Sequence, residues 1–111
     1  MSTLSTHVLD TMNGRPAAGL AVVLSGPDGE IAGGVTDADG RCPGLAPAGL
    51  APGRYALRFA VADYFRALGV ALSDPPFLDE VTVDFGIASN GGHYHVPLLV
   101  SPFAYSTYRG S

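Results

Sequence analysis

Apolar and polar residues alternate along most of this chain, and a period of two is the mark of half-buried β-strands. The alternation is clearest in "RYALRFAV", residues 54–61. There Tyr55, Leu57, Phe59 and Val61 fall on one face, and Arg54, Ala56, Arg58 and Ala60 on the other. "VTVDFGI", 81–87, repeats it with Val81, Val83, Phe85 and Ile87 inward. In "HYHVPLLV", 93–100, the inward set is Tyr94, Val96, Leu98 and Val100, which leaves His93, His95, Pro97 and Leu99 on the opposite face. Further strand-length runs cover 4–12, 20–26, 31–36 and 103–109, and a very short one near Leu45 makes eight. Turn clusters divide them: "NGRPAAG", "PDGE" with Gly29 expected at positive φ, and "DADG". Only "VADYFRALG", 61–69, breaks the period. Phe65 and Leu68 stand three apart there, with Asp63 placed to cap a short helix and Gly69 to end it. Short strands with turns roughly every 8–12 residues predict an antiparallel β-sandwich of Ig-like outline. An open β-barrel is the competing all-β arrangement.

Composition narrows the picture. A chain of 111 residues is expected to form one domain, spanning 1–111. With 15 glycines and 9 prolines it is heavily punctuated, as many short strands require. Charged residues make up only 14%, which suggests that other subunits cover part of the surface. A net charge of −4 and no basic stripe argue against nucleic acid as partner. All six basic residues are arginines, whose planar fork suits planar anions. Cys42 is the single cysteine, so no internal disulfide can form and no metal-site spacing exists. No basic-plus-apolar leader and no apolar run near membrane-spanning length is present, so the expected location is the cytoplasm.

Candidate chemistry centres on the histidines. His93 and His95, two apart on a strand, share a face, and His7 lies mid-strand in "STHVLD". Such a pair is a familiar metal-binding layout with His7 as third ligand. The nearest acids, Asp79, Glu80 and Asp84, lie on another strand, and acid–base chemistry near neutral pH is the stronger reading. "VTDADGRC" fails as a calcium loop: with Gly40 at the sixth place, Val35 and Ala46 occupy ligand positions. It reads instead as a turn from which Arg41 emerges. No nucleophile elbow and no phosphate-binding glycine loop occurs.

Three segments together carry a resemblance: "STHVLDTMNGRPAAGL", "VTDADGRCPGL" and "HYHVPLLVSPFAYSTYRGS". In order and register over essentially the whole chain, they resemble the transthyretin-like 5-hydroxyisourate hydrolases. The closing Tyr-Arg-Gly-Ser separates these hydrolases from the transthyretin hormone carriers. The resemblance implies an all-β, transthyretin-like, eight-stranded sandwich with a short helix after the fifth strand. It also implies a homotetramer with active sites at the dimer–dimer interface, and catalysis without metal or organic cofactor. The reaction implied is hydrolysis of 5-hydroxyisourate, the product of urate oxidation, to 2-oxo-4-hydroxy-4-carboxy-5-ureidoimidazoline. Carried over by position, the catalytic set is His7, Arg41, His95 and Ser111. Tyr108, Arg109 and Gly110 join His7 and Arg41 in holding substrate, and His93 matches the first histidine of the family's H-Y-H. A carrier of a small aromatic ligand shares the fold and is the rival reading. It needs an open apolar channel, which histidines and Tyr108 on the channel face disfavour.

Overall fold

Two four-stranded sheets face each other across a single apolar core in the computed structural model, which describes residues 1–110. In chain order the elements are β1 (Ser2–Asp10), β2 (Arg15–Pro16), β3 (Ala21–Gly26), β4 (Gly29–Val35), β5 (Gly53–Phe59), α1 (Val61–Ala67), β6 (Val81–Ile87), β7 (Gly92–Val100) and β8 (Tyr105–Thr107). One sheet runs β2-β1-β7-β8, the other β4-β3-β5-β6. The expected transthyretin-like sandwich with one short helix is the fold observed.

The alternation predicted the faces correctly. Leu57, Phe59, Leu98 and Val100 are fully buried, with Tyr55, Val81, Tyr94 and Val96 nearly so. β3 and β4 form a tight hairpin in which Gly26 pairs with Gly29, and Gly29 takes the expected positive φ of 114°. Helix α1 closes one end of the core by burying Val61 and Phe65. It stops where Gly69 turns left-handed. Its N-cap is Ala60 with no side-chain cap, so Asp63 sits in the first turn instead of capping it. The main-chain amide of Ala62 is satisfied by the Asp79 carbonyl, 2.9 Å away.

Three details depart from expectation. The eighth strand is the two-residue β2, within the segment read as a turn, and not a strand at Leu45. Leu45 is buried all the same, because its loop packs a side chain onto the core without joining a ladder. β8 is also shorter than the run 103–109, covering Tyr105–Thr107. Finally, β1 and β7 pair in parallel, in an otherwise antiparallel sandwich. Period-two patterning specifies which face a residue takes and is blind to strand direction.

A buried polar knot ties β1 to the helix. The Asp10 carboxylate, 1% exposed, accepts hydrogen bonds from the Tyr64 hydroxyl at 2.7 Å and from Asn13 through its side chain at 2.7 Å and its amide at 2.9 Å. Burial by itself would raise the Asp10 pKa, but these bonds, with one from the Met12 amide, outweigh it and hold the carboxyl below its usual value. The Tyr64 phenol is pushed up to about 12 by burial and by that carboxylate.

Candidate active site

The parallel register lays the two ends of the chain side by side: Thr3 beside His93, Ser5 beside His95, and His7 beside Pro97. Residues in direct register share a face. One polar row therefore runs along the outer face of this sheet while Val8, Tyr94, Val96 and Leu98 fill the core behind it.

His7 is fixed by the turn that carries Arg41. Its Nε2 lies 2.7 Å from the Asp39 carbonyl oxygen. A carbonyl only accepts, so Nε2 carries the proton and Nδ1 is the ring's acceptor when His7 is neutral. The turn is built by Asp37, whose Oδ1 accepts from the amides of Asp39 and Arg41, both at 3.0 Å. It is clamped to β1 by the Val8 amide donating to the Gly40 carbonyl at 2.8 Å, and His7 and Arg41 form a bridge. Gly40 has φ +78°, and a Cβ there would overlap the Val8 carbonyl oxygen, so only glycine lets the turn dock. Arg41 is exposed and its guanidinium makes no ion pair among the described residues.

His95 is half-buried. Its Nδ1 lies 2.7 Å from the Ser5 hydroxyl, and its Nε2 has no hydrogen-bond partner among the described residues. Burial lowers its pKa below the usual histidine value, and the positive charges of Arg41, His7 and His93 lower it further. His95 therefore stays a neutral imidazole, able to accept a proton, at lower pH than an ordinary histidine.

Gly110 seats this ring. The Gly110 amide donates to the His95 carbonyl at 2.8 Å, and the imidazole lies directly over the Gly110 Cα. A Cβ on Gly110 would overlap the His95 Cδ2 and stand 3.0 Å from its Cγ. The same register joins Leu98 to Thr107 and His95 to Gly110, so Tyr108 lies opposite Pro97 and Arg109 opposite Val96. Pro97, which has no N–H to donate, falls where β8 has just stopped. Its carbonyl is satisfied by the Thr107 hydroxyl at 2.7 Å. Tyr108 is thereby placed on the His95 side of the sheet, and Arg109 on the other. The Arg109 guanidinium lies 4.0 Å from the centre of the Tyr94 ring, a cation–π contact, with Nη2 3.4 Å from the His93 carbonyl. The chain thus brings His7, Arg41, His95, Tyr108 and Gly110 to one face and turns the Arg109 side chain away from it. Ser111 lies outside the described residues.

Both nitrogens of His93 are engaged: Nδ1 with the Thr3 hydroxyl at 2.6 Å and Nε2 with the Ser5 hydroxyl at 2.8 Å. With these and His95 Nδ1 occupied, the His-x-His pair offers one uncommitted nitrogen, and no group of three metal-ligating side chains occurs among the described residues. Sequence reasoning passed over Thr3, Ser5 and the Asp39 carbonyl. The available signal was the polar row Thr3, Ser5, His7, at the same spacing of two as His93 and His95.

A family model described as "HIUase/Transthyretin family" matches residues 4–110. A protein of Caulobacter vibrioides named 5-hydroxyisourate hydrolase is 54% identical over the full length of both chains. Among solved structures, Klebsiella pneumoniae 5-hydroxyisourate hydrolase superposes with a TM-score of 0.88 at 40% identity, covering 100% of each chain. Sea bream transthyretin, solved in complex with thyroxine, superposes at 0.84 with 33% identity, over 96% of this chain and 93% of that one.

Proposed function

This chain belongs to the HIUase/Transthyretin family, and from that premise we propose that it opens the ring of 5-hydroxyisourate, giving 2-oxo-4-hydroxy-4-carboxy-5-ureidoimidazoline, through water handled by His7 and His95 with Arg41 binding the substrate. The chain is an enzyme of the 5-hydroxyisourate hydrolase type, as its full-length relatives indicate. The observation that carries the mechanism is the convergence of His7, Arg41 and a neutral His95 on one sheet face.

Water must lose a proton as it attacks the carbonyl carbon, and a ring nitrogen must gain one as it leaves. His95, neutral near pH 7 and open at Nε2, is suited to take the first proton. His7, with Nε2 tied to Asp39, offers Nδ1 on the same face to orient the water or, when the ring is doubly protonated, to hand a proton to the leaving nitrogen. Arg41 pairs with no carboxylate among the described residues and can hold a planar anion bidentately while offsetting charge on the carbonyl oxygen. Tyr108 and Gly110 would bound the site beside His95, with Arg109 supporting the strand behind it. Ser111 would join the catalytic set by family position. This site lies on an open face, which fits a homotetramer that completes it at a dimer–dimer interface. The lone buried Cys42 thiol suits a reducing cytoplasm.

The test is direct. 5-Hydroxyisourate is generated with urate oxidase and its ultraviolet absorbance followed with and without the protein. Acceleration is expected, and decay at the spontaneous rate would end the hydrolase reading. Light scattering on the same sample reads the subunit number.

A further inference from the structure

We propose that Ser5, His93 and Thr3 are positioning residues that hold the His95 imidazole as its Nδ1–H tautomer, keeping Nε2 as a bare acceptor. The inference deepens the hydrolase reading and rests on it for the use made of that nitrogen.

Four side chains form one continuous line across β1 and β7. Thr3 Oγ1 stands 2.6 Å from His93 Nδ1, His93 Nε2 stands 2.8 Å from Ser5 Oγ, and Ser5 Oγ stands 2.7 Å from His95 Nδ1. All three distances are those of full hydrogen bonds. The parallel register produces the line, since Thr3 faces His93 and Ser5 faces His95.

Counting protons leaves two arrangements. Ser5 has one hydroxyl proton and touches two ring nitrogens, so it donates to one and accepts from the other. A neutral imidazole carries one N–H, so the choice at Ser5 dictates both rings. In the outward arrangement His95 Nδ1–H donates to Ser5, Ser5 donates to His93 Nε2, and His93 Nδ1–H donates to Thr3. In the inward arrangement every bond reverses, and His95 must carry its proton on Nε2. The hydrolase reading decides between them: His95 Nε2 is open, and it can take a proton from water only in the outward arrangement, which leaves it a bare lone pair. Once Nε2 is protonated, the existing Nδ1–H···Ser5 bond becomes charge-assisted without any ring movement.

Histidine-labelled, full-length protein tests this through long-range ¹H–¹⁵N spectra taken above the histidine titration range, with His95 assigned by its loss in His95→Asn. The wild type is expected to show His95 protonated at Nδ1 and bare at Nε2. Ser5→Ala and His93→Leu should both lose that signature. Each should lower kcat on the order of 10–100-fold, the cost of removing an outer partner of a functional imidazole, with KM little changed. Ser5→Thr keeps the hydroxyl and should restore spectrum and kcat together. A wild-type His95 protonated at Nε2, or Ser5→Ala and His93→Leu variants with wild-type spectrum and kcat, would overturn the proposal. Should the wild type fail to hydrolyse 5-hydroxyisourate, the hydrolase reading falls while the spectra still decide the relay.

Discussion

Gly110→Ala separates the placement of His95 from its presence. Gly110 is not among the glycines at positive φ, so alanine fits its backbone, and the three atoms nearest the new methyl all belong to the His95 side chain. It would overlap Cδ2 and press on Cγ at 3.0 Å and Cβ at 3.1 Å. A half-buried imidazole relieves this by turning off the Gly110 Cα, which shifts its Nδ1 out of line with Ser5 and moves Nε2. The fold should therefore lose only about 1 kcal/mol, the low end of overpacking costs, or about 4 °C in Tm. Catalysis should lose far more. A reacting group displaced by about 1 Å costs about 10²-fold, equivalent to about 2.7 kcal/mol of barrier. The assay is the decay of freshly generated 5-hydroxyisourate, read as kcat/KM beside a thermal melt. Gly86→Ala is the control, since Gly86 has ordinary φ and open space around its would-be Cβ. In a His95→Asn background the same alanine should cost little more, because contacting residues are not additive. Wild-type kcat/KM for Gly110→Ala, or an equal loss in both backgrounds, would refute the reasoning.

Other expectations follow from the same geometry. His95→Asn should lower turnover by about 10²–10⁴. The acid limb of wild-type kcat/KM should lie below the ordinary histidine value of 6.5, as the lowered His95 pKa requires, and a limb above it would contradict that environment. Arg41→Lys should cost on the order of 10²-fold in kcat/KM, the scale of losing one oriented donor to developing charge, and unchanged saturation kinetics would remove the fork from the scheme. Tyr64→Phe should cost about 1.5–3 kcal/mol in urea melts at neutral pH, as it strips a hydrogen bond from a buried carboxylate. Because the Asp10 pKa is lowered on folding, its contribution is full above the unfolded value near 3.8 and fades as pH falls through the folded one. The Tyr64→Phe deficit should therefore shrink in acid, and a constant deficit would argue for packing alone.

The sandwich was readable because burial of one face imposes strict alternation, as in Tyr55, Leu57 and Phe59. The same parity placed His7 and His95 on the outer face before any contact was known. Strand direction was not readable, so the meeting of Ser5 with His95 could not be foreseen. Serine and threonine on a strand's outer face look like ordinary solvent-facing residues until a partner strand is known. Arg109 shows a second limit. Its type suits an anion, but its place opposite Val96 sends it to Tyr94, a matter of register beyond the end of β8, opposite Pro97. The β2 strand escaped notice because two residues are too few to show a period.

The partners in the Ser5–His95 bond are 90 residues apart in sequence. Closing so long a loop carries a conformational penalty that grows only slowly with length, but contacts of that separation retard folding and are gained late. During synthesis the first strand has β2 within reach of one edge early, but its β7 edge waits until nearly the whole chain has emerged. No amino-terminal fragment ending before β7 can hold His95 against Ser5, and no partly folded chain with β1 detached can do so either. In refolding, hydrolysis should return no earlier than the last strands to pair, so that activity serves as a clock for completion of the fold.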